Sequence, residues 1–294
     1  MTDAPAEPTS RLAVLKTYKL YVGGAFPRTE SGRFDQVSGP DGEVIANYCR
    51  SSRKDFREAV VSARAAFSGW AARSAFNRSQ ILYRIAEMLE GRRSQFETEL
   101  QALGTTPAEA AAEVEAAVDR LVHYAGWCDK YQQIFSCVNP VSSSHFNFSI
   151  LEPTGVVAIY APDECPLLGL VSVLAPAVAG GNTVVLLASE SRPLPAITFA
   201  EVAHSSDVPG GVMNILTGRR AELLEFFASH LDVNAFVYCG RDEEAIKEAE
   251  RLAAGNVKRL VVDRRSDWFS DDAQSPYRIS DLQEVKSTWH PIGT

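Results

Sequence analysis

The residue types able to attack, protonate or ligate are scattered through this chain rather than gathered. There are five cysteines, Cys49, Cys128, Cys137, Cys165 and Cys239, and five histidines, with no CxxC pair and no spacing that would hold a metal. An odd, dispersed set of thiols fits reduced cysteines in the cytoplasm, not a disulfide or zinc framework. Cys165 stands in Pro162-Asp-Glu-Cys-Pro166, beside Glu164. A neighbouring carboxylate raises a thiol pKa and disfavours the thiolate, so a packed, inert Cys165 is expected. Asp242-Glu243-Glu244 sets three carboxylates at a helix start, where they suit the helix dipole and oppose an anionic ligand.

The elements that would position such groups follow from hydrophobic patterning. Short apolar runs at Val156–Tyr160, Thr183–Leu187, 212–216, 235–238 and 259–262 read as strands buried on both faces of a parallel sheet. Helix-length segments at 167–179, Leu194–His204, 221–229 and 243–254 separate them. Strand and helix in alternation predict an α/β, doubly wound Rossmann-like parallel sheet. In such a sheet ligands lie outside the carboxyl ends of the strands. That points to residues 161–166, 188–190 and 217–220.

Upstream, Lys19 to Phe26 reads as two strands around Gly23-Gly24, and residues 44–48 as another strand. Ser52 with Asp55, and Thr106-Pro107 with Glu109, are helix starts of the capping-box type. The second of these helices should run to about Tyr131. Phe146, Phe148 and Ile150 alternate with Asn147 and Ser149, so a strand with one apolar face is expected in a protruding hairpin. Residues 264–277 are polar and read as a surface linker, and residues 1–16 as a loose, flexible tail. Glu284-Val-Lys-Ser-Thr-Trp289 alternates again; a lone terminal strand must join a sheet edge, its own or a partner's.

With 294 residues, 46% of them hydrophobic, the chain can bury a real core. A formal net charge of −8 argues against nonspecific nucleic-acid binding, which needs a basic footprint. No apolar run reaches membrane-spanning length, so neither nucleic acid nor membrane is expected as a partner.

Several stretches together resemble the amino-terminal half of the aldehyde dehydrogenase superfamily. They include Tyr21-Val-Gly-Gly24, Glu152-Pro-Thr-Gly-Val-Val156, Leu174-Ala-Pro-Ala-Val-Ala-Gly-Gly-Asn-Thr183 and Pro209-Gly-Gly-Val-Met-Asn-Ile-Leu-Thr-Gly218. The ending, Glu284 to Trp289, is similar to that family's carboxyl-terminal oligomerisation strand. The resemblance implies an NAD(P)-binding-type domain over 17–134 and 151–263. It also implies oligomerisation strands over 135–150 and 278–294, with 264–277 standing where the family carries its cysteine-bearing catalytic domain.

The family's functional positions transfer unevenly. Its nucleophilic cysteine has no counterpart. Its oxyanion-hole asparagine, in Pro-Trp-Asn-Phe-Pro, is Glu164 here, and its tryptophan is Asp163; the resemblance leaves these two carboxylates in a solvated loop. Of its ribose-binding Lys-Pro-Ser-Glu, Ser189 and Glu190 remain while the lysine is Leu187. Gly218 and Gly240 keep their places, and Arg241 could meet a phosphate. An acid, Asp263, stands at the general-base position and reads as a strand-end or cap residue. No catalytic residue, no metal site and at most weak NAD(P) binding are therefore expected. The preferred expectation is a non-catalytic subunit that pairs through its strands with a full-length aldehyde dehydrogenase, or with its own copy. The alternatives are an NAD(P)-dependent subunit completing an active site across an interface, and a stand-alone module whose last strand folds onto its own sheet.

Overall fold

A computed structural model describes residues 14–293. The tail read over 1–16 lies, up to residue 13, outside the described residues. Strands β1 (Thr17–Tyr18), β2 (Phe34–Ser38) and β3 (Val44–Cys49) form a small sheet in the order β1-β3-β2. Helices α1 (Arg53–Ala71), α2 (Ala75–Glu90), α3 (Arg93–Ala102), α4 (Pro107–Trp127) and α5 (Tyr131–Phe135) follow. A hairpin of β4 (Cys137–Asn139) and β5 (His145–Pro153) leads into the alternating half. That half runs β6 (Val156–Tyr160), α6 (Leu168–Ala179), β7 (Thr183–Leu187), α7 (Leu194–His204), β8 (Met213–Leu216), α8 (Arg220–Ser229), β9 (Ala235–Cys239), α9 (Glu243–Ala253) and β10 (Arg259–Asp263). The described chain closes with α10 (Tyr277–Ser280) and β11 (Gln283–Pro291).

The parallel sheet has the order β10-β9-β6-β7-β8. Every residue of β6, β7, β8 and β9 is buried, which is why these strands are continuous apolar runs. One face packs on α1, α8 and α9 through Phe56, Phe227 and Ile246. The other packs on α2, α4, α6 and α7. The chain lays β6, β7 and β8 in one direction and then returns to place β9 and β10 on the far side of β6. The order therefore reverses at β6, and the crevice between the ends of β6 and β9 is where an open α/β sheet takes ligands.

Both capping boxes form. The Ser52 side chain accepts from the Asp55 amide while Asp55 accepts from the Ser52 amide, and Thr106 and Glu109 do the same. Asp55 also accepts from the Thr29 hydroxyl at 2.6 Å, which ties the amino-terminal turn to α1.

Three expectations need correction, and two points the sequence left open are decided. Between residues 19 and 26 the Gly23-Gly24 turn forms, but the flanking strands reduce to isolated bridges, Val22 to Ala25 and Tyr21 to Ile215. Helix α4 stops at Trp127 and a separate short turn, α5, takes Tyr131. The β5 alternation holds, and its polar face is the covered one: Asn147 and Ser149 are 4% and 8% exposed, while Phe146 is 45% exposed. The polar residues tolerate cover because they satisfy one another. Asn139 donates to Asn147 at 2.5 Å and to Ser149 at 2.8 Å, and the Ser149 and Ser287 hydroxyls lie 2.7 Å apart.

Residues 264–282 are a strap packed on the domain, not a surface linker. Trp268, Ala273 and Ile279 are fully buried. Buried Arg120 of α4 holds the strap by donating to the carbonyls of Trp268 and Ala273, both at 3.0 Å. Composition hides this because a few apolar anchors suffice once a buried arginine and two carbonyls fix the backbone. Finally, β11 pairs antiparallel with β5 of its own chain from Gln283–Pro153 to Pro291–His145. Its inner edge is thus satisfied internally, and its outer edge has no strand beside it among the described residues.

Candidate functional site

The carboxyl ends of β6, β7, β8 and β9 converge as the topology requires, and their loops carry most of the residues singled out from sequence. Asp163, on the loop after β6, is the hub. Its Oδ1 accepts from the Ser189 hydroxyl at 2.6 Å, the Glu190 amide at 2.8 Å, and the Ser191 amide and hydroxyl at 3.3 Å. Its Oδ2 lies 3.2 Å from an Arg220 nitrogen. Burial pushes this carboxyl up, but Arg220 and the bonds from Ser189, Ser191 and the Glu190 amide outweigh it, and its pKa falls below the usual value. The expectation of a solvated loop fails at this residue. Arg192 adds a second tie by donating to the carbonyls of Asp163, at 2.6 Å, and Glu164.

Arg220 lies across the crevice. Its guanidinium donates to the carbonyl of Ala161, just past β6, and to that of Cys239, the last residue of β9, at 3.1 Å. Its Cζ sits 5.8 Å from the Tyr160 ring centre. One side chain thus bridges the two strands between which the sheet order reverses. Helix α8 begins at this residue, and its first amide donates to Glu190 at 2.8 Å. Glu190 therefore caps α8, and Ser189, buried at 2% exposure, serves Asp163.

Gly218 and Gly240 occupy the turns expected of them. Gly240 has φ +156°, and an added Cβ would meet the Tyr238 ring at 3.1 Å, so only glycine fits the turn between β9 and α9. Arg241 does not face the crevice; its Nε donates to the Arg264 carbonyl at 2.9 Å. The expected phosphate ligand is thus used to tie down the strap. Asp242 caps α9 by accepting from the amides of Glu244 and Ala245 at 3.1 Å. Asp263 ends β10 as an ion-pair node with Arg265, at 2.9 Å, and Arg278. Burial raises its pKa and the two guanidiniums lower it further, to a net depressed value.

Three of the thiols are pushed up by their surroundings. Cys165 is pushed up to about 12 by burial and by the charges of Glu113, Glu164 and Asp267. Buried Cys128 and Cys239 are likewise raised to about 12. Among the described residues no group of three or more His, Cys, Asp or Glu side chains could hold a metal.

Comparison with known proteins accounts for this frame. A sequence model described as the aldehyde dehydrogenase family matches residues 26–264. The chain belongs to the aldehyde dehydrogenase family. It is 31% identical to the putative aldehyde dehydrogenase DhaS of Bacillus subtilis, over 90% of this chain and 54% of that protein. It is 30% identical to mouse retinal dehydrogenase 2, over 87% of this chain and 50% of that one. Among solved structures it superposes on an aldehyde dehydrogenase of Bacillus cereus in its NAD+ complex. There the TM-score is 0.79 at 26% identity, covering 84% of this chain and 50% of that one. The chain spans about half the length of the relatives it matches.

Within the aldehyde dehydrogenase frame, Arg220 was reached only as the end of the 217–220 stretch, and Arg192 and Glu113 were missed. Arg219-Arg220 at a helix start was the available signal: two cations beside the positive end of a helix dipole need a partner. Asp163 supplies it for Arg220, and Asp35 for Arg219 at 3.1 Å. Glu113 gave no such signal, because a glutamate in an alanine-rich helix looks solvated. In the fold it is 4% exposed and accepts from the amides of Leu167 and Leu168 at 2.8 and 3.2 Å, capping α6 from a neighbouring helix.

Proposed function

We propose that this chain is a non-catalytic aldehyde dehydrogenase family subunit, structural or regulatory, that assembles through its three-stranded sheet with a full-length aldehyde dehydrogenase. The observation that carries the reading is Arg220 lying across the ends of β6 and β9, held by Asp163 and by the carbonyls of Ala161 and Cys239. A dinucleotide does not fit these residues. The first α8 amide is taken by Glu190, and α9 starts with Asp242, Glu243 and Glu244, which repel a pyrophosphate. Leu187, where the family resemblance calls for a lysine, is fully buried. The half-buried thiol nearest the crevice, Cys165, is held protonated. The reading places the chain in the cytoplasm on the strength of its dispersed, unpaired cysteines. No described helix is long and apolar enough to cross a membrane.

Assembly is supported by what the sheet of β4, β5 and β11 leaves exposed. Val138, at 65%, and Phe146, at 45%, share one face with Phe148 and Ile150. Val285 and Trp289 are 67% and 58% exposed on the other face, beside the open β11 edge. An open edge with apolar flanks is a template for another chain. Two measurements test the reading. Calorimetric titration with NAD and with NADP should give no binding heat at micromolar affinity. Light scattering after size exclusion should show a mixed species with a full-length aldehyde dehydrogenase from the same host. Micromolar nucleotide binding would favour the rival reading, a subunit that completes an active site across an interface, which the retained Glu190 and Gly240 recommend. A species containing only this chain would redirect the assembly to a homodimer.

A further inference from the structure

A cluster of buried cations lies where the strap meets α4, around Trp268. Arg120 comes from α4; Arg265 and Arg278 come from the strap, the second of them within α10. The Arg265 and Arg278 guanidinium carbons each lie 5.5 Å from the centre of the Trp268 ring. Arg120, 4% exposed, donates to the backbone carbonyl of Trp268 at 3.0 Å. The carboxylate paired with this cluster is Asp263, which Arg265 and Arg278 share. Arg120 has no carboxylate partner among the described residues. Asp271 faces Arg120 and Asp281 faces Arg278, but both stand at exposed positions and neither forms an ion pair there. Three guanidiniums are thus set against one buried carboxylate. Burial pushes the Arg120 guanidinium down from its ordinary value, Tyr124 and Asp271 oppose the fall, and Arg278 and Arg265 add to it.

The hydrogen bonds leave a deficit of the same sign. Arg120 Nε, Arg278 Nε and Trp268 Nε1 are buried and have no acceptor among the described residues. All three are donors, and no unpartnered buried acceptor belongs to the cluster. A water accepting from two of them would still have two hydrogens to place, and it would leave the positive charge uncompensated. Buried charges and donors without partners are costly, and an anion that accepts from all three removes both costs. Size narrows the choice. Trp268 and Ala273 are fully buried, so a monatomic ion suits this interior, whereas a phosphate or a carboxylate would have to lift the strap.

We propose that this cluster binds chloride, the ion accepting from Arg120 Nε, Arg278 Nε and Trp268 Nε1. The site does not depend on whether the chain assembles with a partner. The bound ion joins α4 to two parts of the strap through side chains, adding to the carbonyls of Trp268 and Ala273 that Arg120 already holds.

The test uses the full chain, dialysed into sodium gluconate and titrated with sodium chloride at constant ionic strength. The melting temperature should rise saturably as chloride replaces gluconate. Trp268→Phe keeps an aromatic ring and removes the N–H, and should raise the chloride concentration needed for half the response at least tenfold. Should Trp268→Phe fail to fold, Arg278→Lys, which keeps a cation for Asp263 and loses Nε, should raise it several-fold. Crystals grown with bromide in place of chloride should show an anomalous peak within hydrogen-bonding reach of Trp268 Nε1. A melting temperature indifferent to the exchange of gluconate for chloride, a response that both variants leave unchanged, or bromide absent from the cluster would overturn the proposal.

Discussion

At the ends of β6 and β9 the chain partners most of its own polar groups, Arg220 Nε excepted. At the sheet of β4, β5 and β11 it leaves apolar groups and a strand edge open. Asp163 collects four hydrogen bonds and an arginine, and Glu190 and Asp242 each cap a helix. In the small sheet the polar Asn147 and Ser149 are buried beside Leu151, while Val138, Phe146, Val285 and Trp289 face outward. The crevice keeps open space of about 390 Å3 beside Tyr160, Arg220 and Tyr238, but most of the polar groups lining it already have internal partners. An exposed apolar sheet gains most when another surface covers it. On the proposed reading, the family frame is kept where it would meet protein and altered where it would meet nucleotide.

Substitution should separate the two regions sharply. The largest effect is expected on the closed side, at Trp268, which is fully buried and lies 5.5 Å from the guanidinium carbons of both Arg265 and Arg278. Trp268→Ala should cost about 3–5 kcal/mol in urea unfolding; a loss under about 1 kcal/mol would mean the strap is not part of the core. Next comes Arg220→Met, which strips the Ala161 and Cys239 carbonyls of their side-chain donor and Asp163 of its cation. Each buried carbonyl left unpaired costs about 1–3 kcal/mol. Asp163, with 39% of its side chain exposed, adds less, and calorimetric melting should register the loss.

The closed side should also respond to acid. The Asp163 and Asp263 pKa values are depressed in the folded chain. The stability they contribute is therefore present above the unfolded aspartate pKa of about 3.9 and is lost as pH falls through the lower folded values. Melting temperature should drop below about pH 4. The drop should be shallower in Asp263→Asn, which is already destabilised at neutral pH; parallel profiles would count against Asp263 as the titrating group. The smallest effect is expected on the open side. Val138→Ser with Phe146→Ser should change stability by no more than about 0.5 kcal/mol per site, yet abolish any mixed species with a full-length aldehyde dehydrogenase. A large stability loss there would show that the face is already covered within the chain.

Much of the fold was legible because buried parallel strands leave no room for polar residues. Thr183–Leu187 and Leu194–His204 have the bounds their apolar content predicts. The caps at Ser52 and Thr106 were legible because their partners sit three residues away. The candidate site was legible only as a location. Ser189, Glu190, Gly218 and Gly240 do line the strand ends, yet Arg241 points to Arg264, and Arg220 takes the central place. Locally only the doubling in Arg219-Arg220 sets the two arginines apart, and it does not name the distant partners.

The sequence by itself determined the alternation of strands and helices, the family frame and the helix caps, because these depend on composition and on neighbours within a turn or two. Only the tertiary structure decided which face of β5 is covered, that β11 joins its own hairpin, and that the strap is core. It also decided that Arg220, Asp163 and Glu190 partner one another across the strand ends. Those outcomes rest on partners from distant parts of the chain, such as Arg120 with Trp268 and Arg220 with Asp163. A buried charge or edge finds its partner through the fold, and its own sequence context does not carry that information.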